Sequence, residues 1–281
     1  MASLFPAGPV LPEFKSLIVK GLYHPSAPIH LALSHCDKFP NGTRVLIVAP
    51  SRDTTVAALQ EHNDDWMSLH AGTGNTLRLA SCTTVFYPPS PAHLAYLFSM
   101  LTTDVQRNQN PATILDQTPS LVILLELSAY FLPDVHSNPT GDPWTLASYM
   151  TLVIRVFASF ASLSLPERYF LGPIALALFD SHLDELKLPI VKNPTPGTNK
   201  KPSKPESVAF FIQKYFEMVA VFEQDDEFLV SSSQDEEDEI MDAQRRNRMK
   251  IFHRGETHPF ATRRWTERAS GNSGGIVFIH D

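Results

Sequence analysis

The residues Gly21-Leu22-Tyr23-His24-Pro25-Ser26-Ala27-Pro28 stand where a phosphate-binding turn would stand, after the apolar run Ser16–Lys20 and before a helical pattern. Such a turn needs G-x-x-x-x-G-K-[ST]: glycines let the backbone wrap the phosphates, Lys neutralises them, and the hydroxyl holds Mg²⁺. Only Gly21 fits. Ser26 occupies the second glycine position, Ala27 the lysine position and Pro28 the hydroxyl position. Pro25 and Pro28 also lack the N–H donors that a phosphate cradle uses. Gly21, Ser26, Ala27 and Pro28 therefore read as a degenerate phosphate loop that binds no nucleotide. The Mg²⁺ acid shows the same decay. In Pro119–Tyr130 the apolar run is right, but Leu125 fills the acid position and Glu126 is one residue out of register. A shift of one residue turns a strand side chain to the other face, so Glu126 reads as a polar residue at a strand end. No catalytic residue and no cofactor are expected.

Other constellations carry less. The 11 histidines include no H-E-x-x-H and no spacing suited to zinc, so no metal is expected. Ser164, Ser181 and Ser270 lack a G-x-S-x-G context. Gly72-Thr73-Gly74 reads as a turn, and Phe157, Phe160, Phe210 and Phe211 read as core rather than as a platform for bases. Two cysteines, Cys36 and Cys82, exclude a disulfide scaffold and a four-cysteine zinc site.

Charge is more informative. The formal net charge is −7, yet residues 223–242 alone hold ten acids and no Lys or Arg. Residues 243–268 follow with eight Lys/Arg against two Glu. Residues 187–204 add Lys187, Lys192, Lys200, Lys201 and Lys204 without an acid. Flexible lysines suit sequence-independent phosphate contact, and the same composition suits a solvated surface excursion. With Arg245, Arg246 and Arg248 they are the candidates for nucleic-acid contact.

The elements that must position these groups follow from periodicity. Ser16–Lys20, Arg44–Ala49, Leu121–Leu127 and Ile174–Phe179 are near-continuous apolar runs, as parallel strands buried on both faces require. Leu77–Phe86 and Met218–Phe222 read as further strands, and residues 61–75 as loop. Helices are expected after Ser26, from Asp53 to Gln60, and over 91–105, 144–161 and 207–216. The helix over 144–161 has one charge, Arg155, and is expected to be covered on most sides. Met249–His253, Arg263–Arg268 and Ile276–His280 read as late strands, the last two joined around Gly271–Gly275.

The expected fold is α/β: a central, mostly parallel sheet flanked by helices, with a C-terminal antiparallel hairpin edge. The expected layout is a tail over 1–15, a core over 16–223 with 181–206 as its Lys/Pro-rich loop, an acidic then basic linker over 224–246, and strands over 247–281 completing the same domain. No apolar run reaches the ~18 residues of a membrane span. At 43% hydrophobic residues and only 19% charged, the 281-residue chain reads as an interaction-rich protein.

The degenerate loop, the strand Arg44–Ala49, Phe86-Tyr87-Pro88-Pro89-Ser90 before an amphipathic helix, Thr118–Leu127, Ile174–Phe179 and Phe211–Phe216 occur in an order that resembles recombinase paralogues of the RecA/RadA type. The sequence is most similar to the RecA-like subunit of Shu-type complexes, over roughly 16–223 and 249–280. That resemblance implies a nuclear RecA-like pseudo-ATPase in homologous recombination and DNA repair. It implies a SWIM-domain zinc protein as partner, contact with a recombinase and other paralogues, and single-stranded DNA as ligand, with no membrane. No Phe is followed by Ala three positions on, so the polymerisation motif of the recombinases is missing. Two alternatives stay open: a RecA-like subunit of a ring assembly supporting tRNA modification, and an active ATPase with a cryptic site.

Overall fold

The computed structural model describes residues 2–6, 8–39, 43–101, 115, 117–132, 144–163, 174–190, 204–225, 245–270 and 275–280. Among the described residues, eleven strands form a nine-stranded sheet and a two-stranded ribbon. The large sheet runs in the order β11-β10-β9-β8-β1-β5-β4-β2-β3. Its parallel part comprises β1 (Ser16–Gly21), β2 (Val45–Val48), β3 (Thr83–Phe86), β4 (Leu121–Leu125), β5 (Ala175–Asp180) and β8 (Met218–Gln224). The remaining strands, β9 (Arg245–His253), β10 (Ala261–Ala269) and β11 (Ile276–His280), extend it antiparallel beyond β8. The protein is thus an α/β fold with a mostly parallel central sheet and a C-terminal antiparallel edge.

Alternation along the strands feeds two cores, because successive side chains point to opposite faces. Leu17 and Val19 of β1 pack with Ala27, Leu31 and Cys36 of α1 (Ala27–Lys38). Ile18 faces the other way, toward α5 (Pro91–Met100), α6 (Leu146–Leu163) and α7 (Val208–Ile212). Burial on both faces explains why β1, β2, β4 and β5 are apolar runs rather than alternating ones.

Several expectations are corrected. Residues 61–75 hold α3 (Asp65–His70) after α2 (Arg52–Glu61), and α4 (Gly74–Ala80) takes the start of the expected strand. Asp64 and Thr73 cap α3 and α4 by accepting the backbone N–H of Met67 and Thr76. The N-terminal tail is no appendage: Leu4, Phe5 and Leu11 are buried, and the Phe5 ring packs 4.9 Å from that of Trp265. The 181–206 loop also contributes to the core through Leu183, Leu186 and Leu188. Its ends pair as β6 (Lys187–Pro189) and β7 (Pro205–Ser207). Helix α6 is covered on one face, by Tyr149, Val153, Val156 and Phe160, while Ile154 and Arg155 on the other are exposed. It is long and apolar enough to cross a membrane by length and composition, but its apolar stripe serves the sheet. Phe160 is buried, whereas Phe210 is 56% exposed with the Lys214 ammonium 4.1 Å from its ring centroid.

Candidate functional site

The carboxyl ends of β1, β4 and β5 converge where an α/β sheet ordinarily holds its ligand. The turn after β1 is closed upon itself. Gly21 has φ +86°, and a Cβ there would lie 2.2 Å from the Phe222 carbonyl oxygen. Gly21 thus serves the backbone approach of β1 to β8, with which it pairs in register. Several N–H groups of the turn and the start of α1 have partners within the chain. Ser26 N donates to His24 Nδ1 at 3.2 Å, Ala27 N to the His24 carbonyl at 2.9 Å, and Ile29 N to the Ser26 carbonyl at 3.0 Å. Pro28 has no N–H to give. Ser26 does not cap α1; its hydroxyl lies 2.7 Å from His24 Nδ1. The other ring nitrogen, Nε2, is buried. Burial holds His24 neutral, its pKa pushed down to about 4.

Beneath this turn His30 Nε2 and Asp64 Oδ2 are 2.6 Å apart, and both residues are buried. Burial works to raise the Asp64 carboxyl, but hydrogen bonds from His30, Ser26 and Met67 N outweigh it and hold the group low. The sequence offered no sign of this pair, because 34 residues separate its members.

At the end of β4, Leu125 is half-buried and pairs in register with Phe179. Glu126 follows with a left-handed backbone (φ 47°), an unusual conformation for a non-glycine residue. Its carboxylate accepts the Tyr23 hydroxyl, the Ser181 N–H at 3.1 Å and the Ser181 hydroxyl at 2.9 Å. Glu126 therefore ties the β1 turn to the end of β5. Beside it, fully buried Asp180 accepts from Ser128 N at 2.8 Å and Ser128 Oγ at 2.5 Å. Burial, and then the Glu126 charge, raise the Asp180 carboxyl to about 7. Sequence analysis ended the strand at Phe179 and missed Asp180; an acid closing an apolar run is the signal that could have found it. The Tyr149 hydroxyl is buried nearby without a partner, and burial followed by the Asp180 and Glu126 charges pushes it well above the ordinary phenol range. Lys20, which reaches Asp184 at 2.7 Å, is the one lysine on this edge among the described residues paired with an acid. Among the described residues no group of three or more His, Cys, Asp or Glu could hold a metal ion.

The cationic candidates lie elsewhere. Lys187 in β6 and Lys204 before β7 are exposed, while Lys192, Lys200 and Lys201 lie outside the described residues. Arg245, Arg246 and Arg248 belong to β9 rather than to a linker, and the pleat separates them. Arg245 stands opposite Glu267, on the face that carries Met249 and Trp265. Arg246 and Arg248 occupy the other face, opposite Thr266 and Arg264. Arg248 bonds Glu223 at 2.9 Å and Asp225 at 3.4 Å, and Arg264 bonds Asp225 at 3.2 Å.

Compared with protein-family models, the chain matches none, and no curated protein matches it.

Proposed function

We propose that this chain is a non-catalytic, RecA-like recombinase-paralogue subunit of the nucleus. In this reading it assists assembly of a recombinase on single-stranded DNA during homologous-recombination repair, alongside a SWIM-domain zinc protein. The observation that carries the reading is the turn after β1. It has the position of a phosphate-binding turn, between a central parallel strand and the first helix, yet the N–H groups of Tyr23, Ser26 and Ala27 and the Ser26 hydroxyl are engaged within the chain. An α/β frame of this kind, with a filled nucleotide position and exposed cations on separate elements, fits a scaffold better than an enzyme. Ala27 offers no cation to a phosphate, and the half-buried Glu126 and the buried Asp180 are already hydrogen-bonded.

The test is affinity purification of the full chain from its native cells, with the captured proteins identified. Recovery of a SWIM-domain zinc protein together with a recombinase is the expected result. Recovery of a ring assembly for tRNA modification would overturn it in favour of that reading, and micromolar, Mg²⁺-dependent ATP binding by the purified chain would overturn the non-catalytic part.

A further inference from the structure

The chain has two cysteines, and the fold brings them together from elements that the sequence keeps apart. Cys36 lies in the last turn of α1, on its buried face, and is 2% exposed. Cys82 stands between α4 and β3 and is half-buried, open to a small oxidant. Local bonds fix the position of Cys82. Its N–H donates to the Leu79 carbonyl at 3.1 Å, its carbonyl accepts Val45 N at 2.9 Å, and its thiol lies 3.6 Å from the Arg78 carbonyl. Arg78 also reaches Asp37, the neighbour of Cys36, at 3.9 Å. Both cysteines pack into the core on the α1 side of the sheet. There the Cys36 thiol has the Cys82 thiol within hydrogen-bonding reach, and neither is in a disulfide. Burial, and then the Cys82 thiol beside it, push the Cys36 thiol up to about 11.

We propose that Cys36 and Cys82 are a reversible redox pair, which a peroxide converts into an intramolecular disulfide tying α1 to the start of β3. The inference does not rest on the function proposed above. Cys82, the more exposed thiol, reacts first. Its thiolate attacks one peroxide oxygen, the O–O bond breaks, and the departing hydroxide takes up the thiol proton and leaves as water. Cys82 is then a sulfenic acid. The Cys36 thiolate attacks its sulfur, the S–O bond breaks, and a second hydroxide leaves with the Cys36 proton as water. The two sulfurs together give up two electrons, and the peroxide is reduced to two waters. Cys36 suits the second step, because the thiolate is the nucleophile and a buried thiol seldom ionises until a partner sulfur is held against it. The bond encloses residues 37–81, which carry β2, α2, α3 and α4. Closing so long a loop restricts the unfolded chain. In a reducing compartment the bond is transient, as a sensor requires.

The test is hydrogen peroxide treatment of the reduced full-length chain, then alkylation of the remaining thiols and mass spectrometry of the intact chain and its unreduced digest. The expected result is a monomer lighter by two hydrogens, with no alkylated cysteine and one peptide pair joined through Cys36 and Cys82. Its urea midpoint should be raised, and dithiothreitol should restore both thiols and the original midpoint. Cys36→Ser should stop at a sulfenic acid on Cys82, trapped by dimedone. Cys82→Ser should leave Cys36 unoxidised. Should Cys36→Ser fail to fold, the wild type and Cys82→Ser still decide. The inference is overturned if the treated wild type keeps a free Cys36 while Cys82 passes to the sulfinic acid, or if the disulfide joins two chains. It is equally overturned if Cys36 oxidises as fast in Cys82→Ser as in the wild type, or if the joined chain gains nothing in urea midpoint.

Discussion

The carboxyl edge of the parallel strands and the outer face of the antiparallel strands treat charge in opposite ways. On the parallel edge, buried His30, Asp64 and Asp180 and half-buried Glu126 are hydrogen-bonded within the chain: His30 with Asp64, Glu126 with Tyr23 and Ser181, Asp180 with Ser128. On the antiparallel face, Arg248 bonds Glu223 and Asp225, Lys250 bonds Glu223, and Arg264 bonds Asp225 at the sheet surface. A buried polar group without its partner is costly, so the first region is built for stability and tolerates little. Ion pairs at a sheet surface are worth less, about 0–1 kcal/mol where exposed, so the second region tolerates substitution better. On the reading proposed above, the position where this architecture ordinarily does chemistry serves as a structural junction.

Substitutions in the first region should therefore unfold the protein, and those in the second should cost the fold little. The largest effect is expected from Asp64→Ala. Removing one member of a buried pair costs about 3–5 kcal/mol, read as a lowered midpoint in urea. Gly21→Ala comes next, at about 2–4 kcal/mol, because alanine at φ +86° would put its Cβ into the Phe222 carbonyl. A loss under 1 kcal/mol in both would show that this junction is not rigid.

The pH dependence sharpens the contrast. Burial lowers His24 and His35 to about 4 from an ordinary 6.5. Between those values the unfolded chain takes up protons that the folded chain refuses, so stability falls as pH drops from about 6.5 toward 4. Each histidine carries at most about 3 kcal/mol of this change. Asp180 works in the opposite sense: its folded value is raised to about 7, so its contribution is present below about 4 and is lost as pH rises through 7. Denaturation midpoints followed from pH 8 to 4 should decline on the acid side, and His35→Gln should shallow that decline. An unaltered acid limb in this variant would remove His35 from the account.

The smallest effect on the fold, under about 0.5 kcal/mol, is expected from deleting residues 226–242, which hold eight of the ten clustered acids. The same deletion should tighten oligo(dT) binding, because fewer negative charges then repel the strand or compete for the arginines. Weaker binding after deletion would mean that the segment helps rather than hinders.

Much of the frame was legible in the sequence because burial on both faces leaves an unmistakable apolar run, as at Ser16–Lys20 and Arg44–Ala49. The failures have physical causes. Leu77 and Leu79 alternate as in a strand, but Thr73 starts a helix there by capping Thr76 N. Phe210 looked like core because Phe is usually buried; a short helix left it outside while Ile212 took the core position. The turn after β1 lacks the phosphate-binding motif in the sequence itself, whereas the contacts among His24, Ser26, His30 and Asp64 were invisible there, since these residues meet only through tertiary structure. The arginines misled for a related reason: proximity in sequence joined Arg245 to Arg246, whereas the pleat separates them and the register brings Arg264 to Arg248.

One measurement bears most directly on the turn after β1. Amide hydrogen exchange of the full-length protein, followed by mass spectrometry, should be recorded alone and with Mg²⁺-ATP. The account predicts unchanged exchange across Gly21–His30 with Mg²⁺-ATP. Protection of Gly21–His30 by the nucleotide would contradict it.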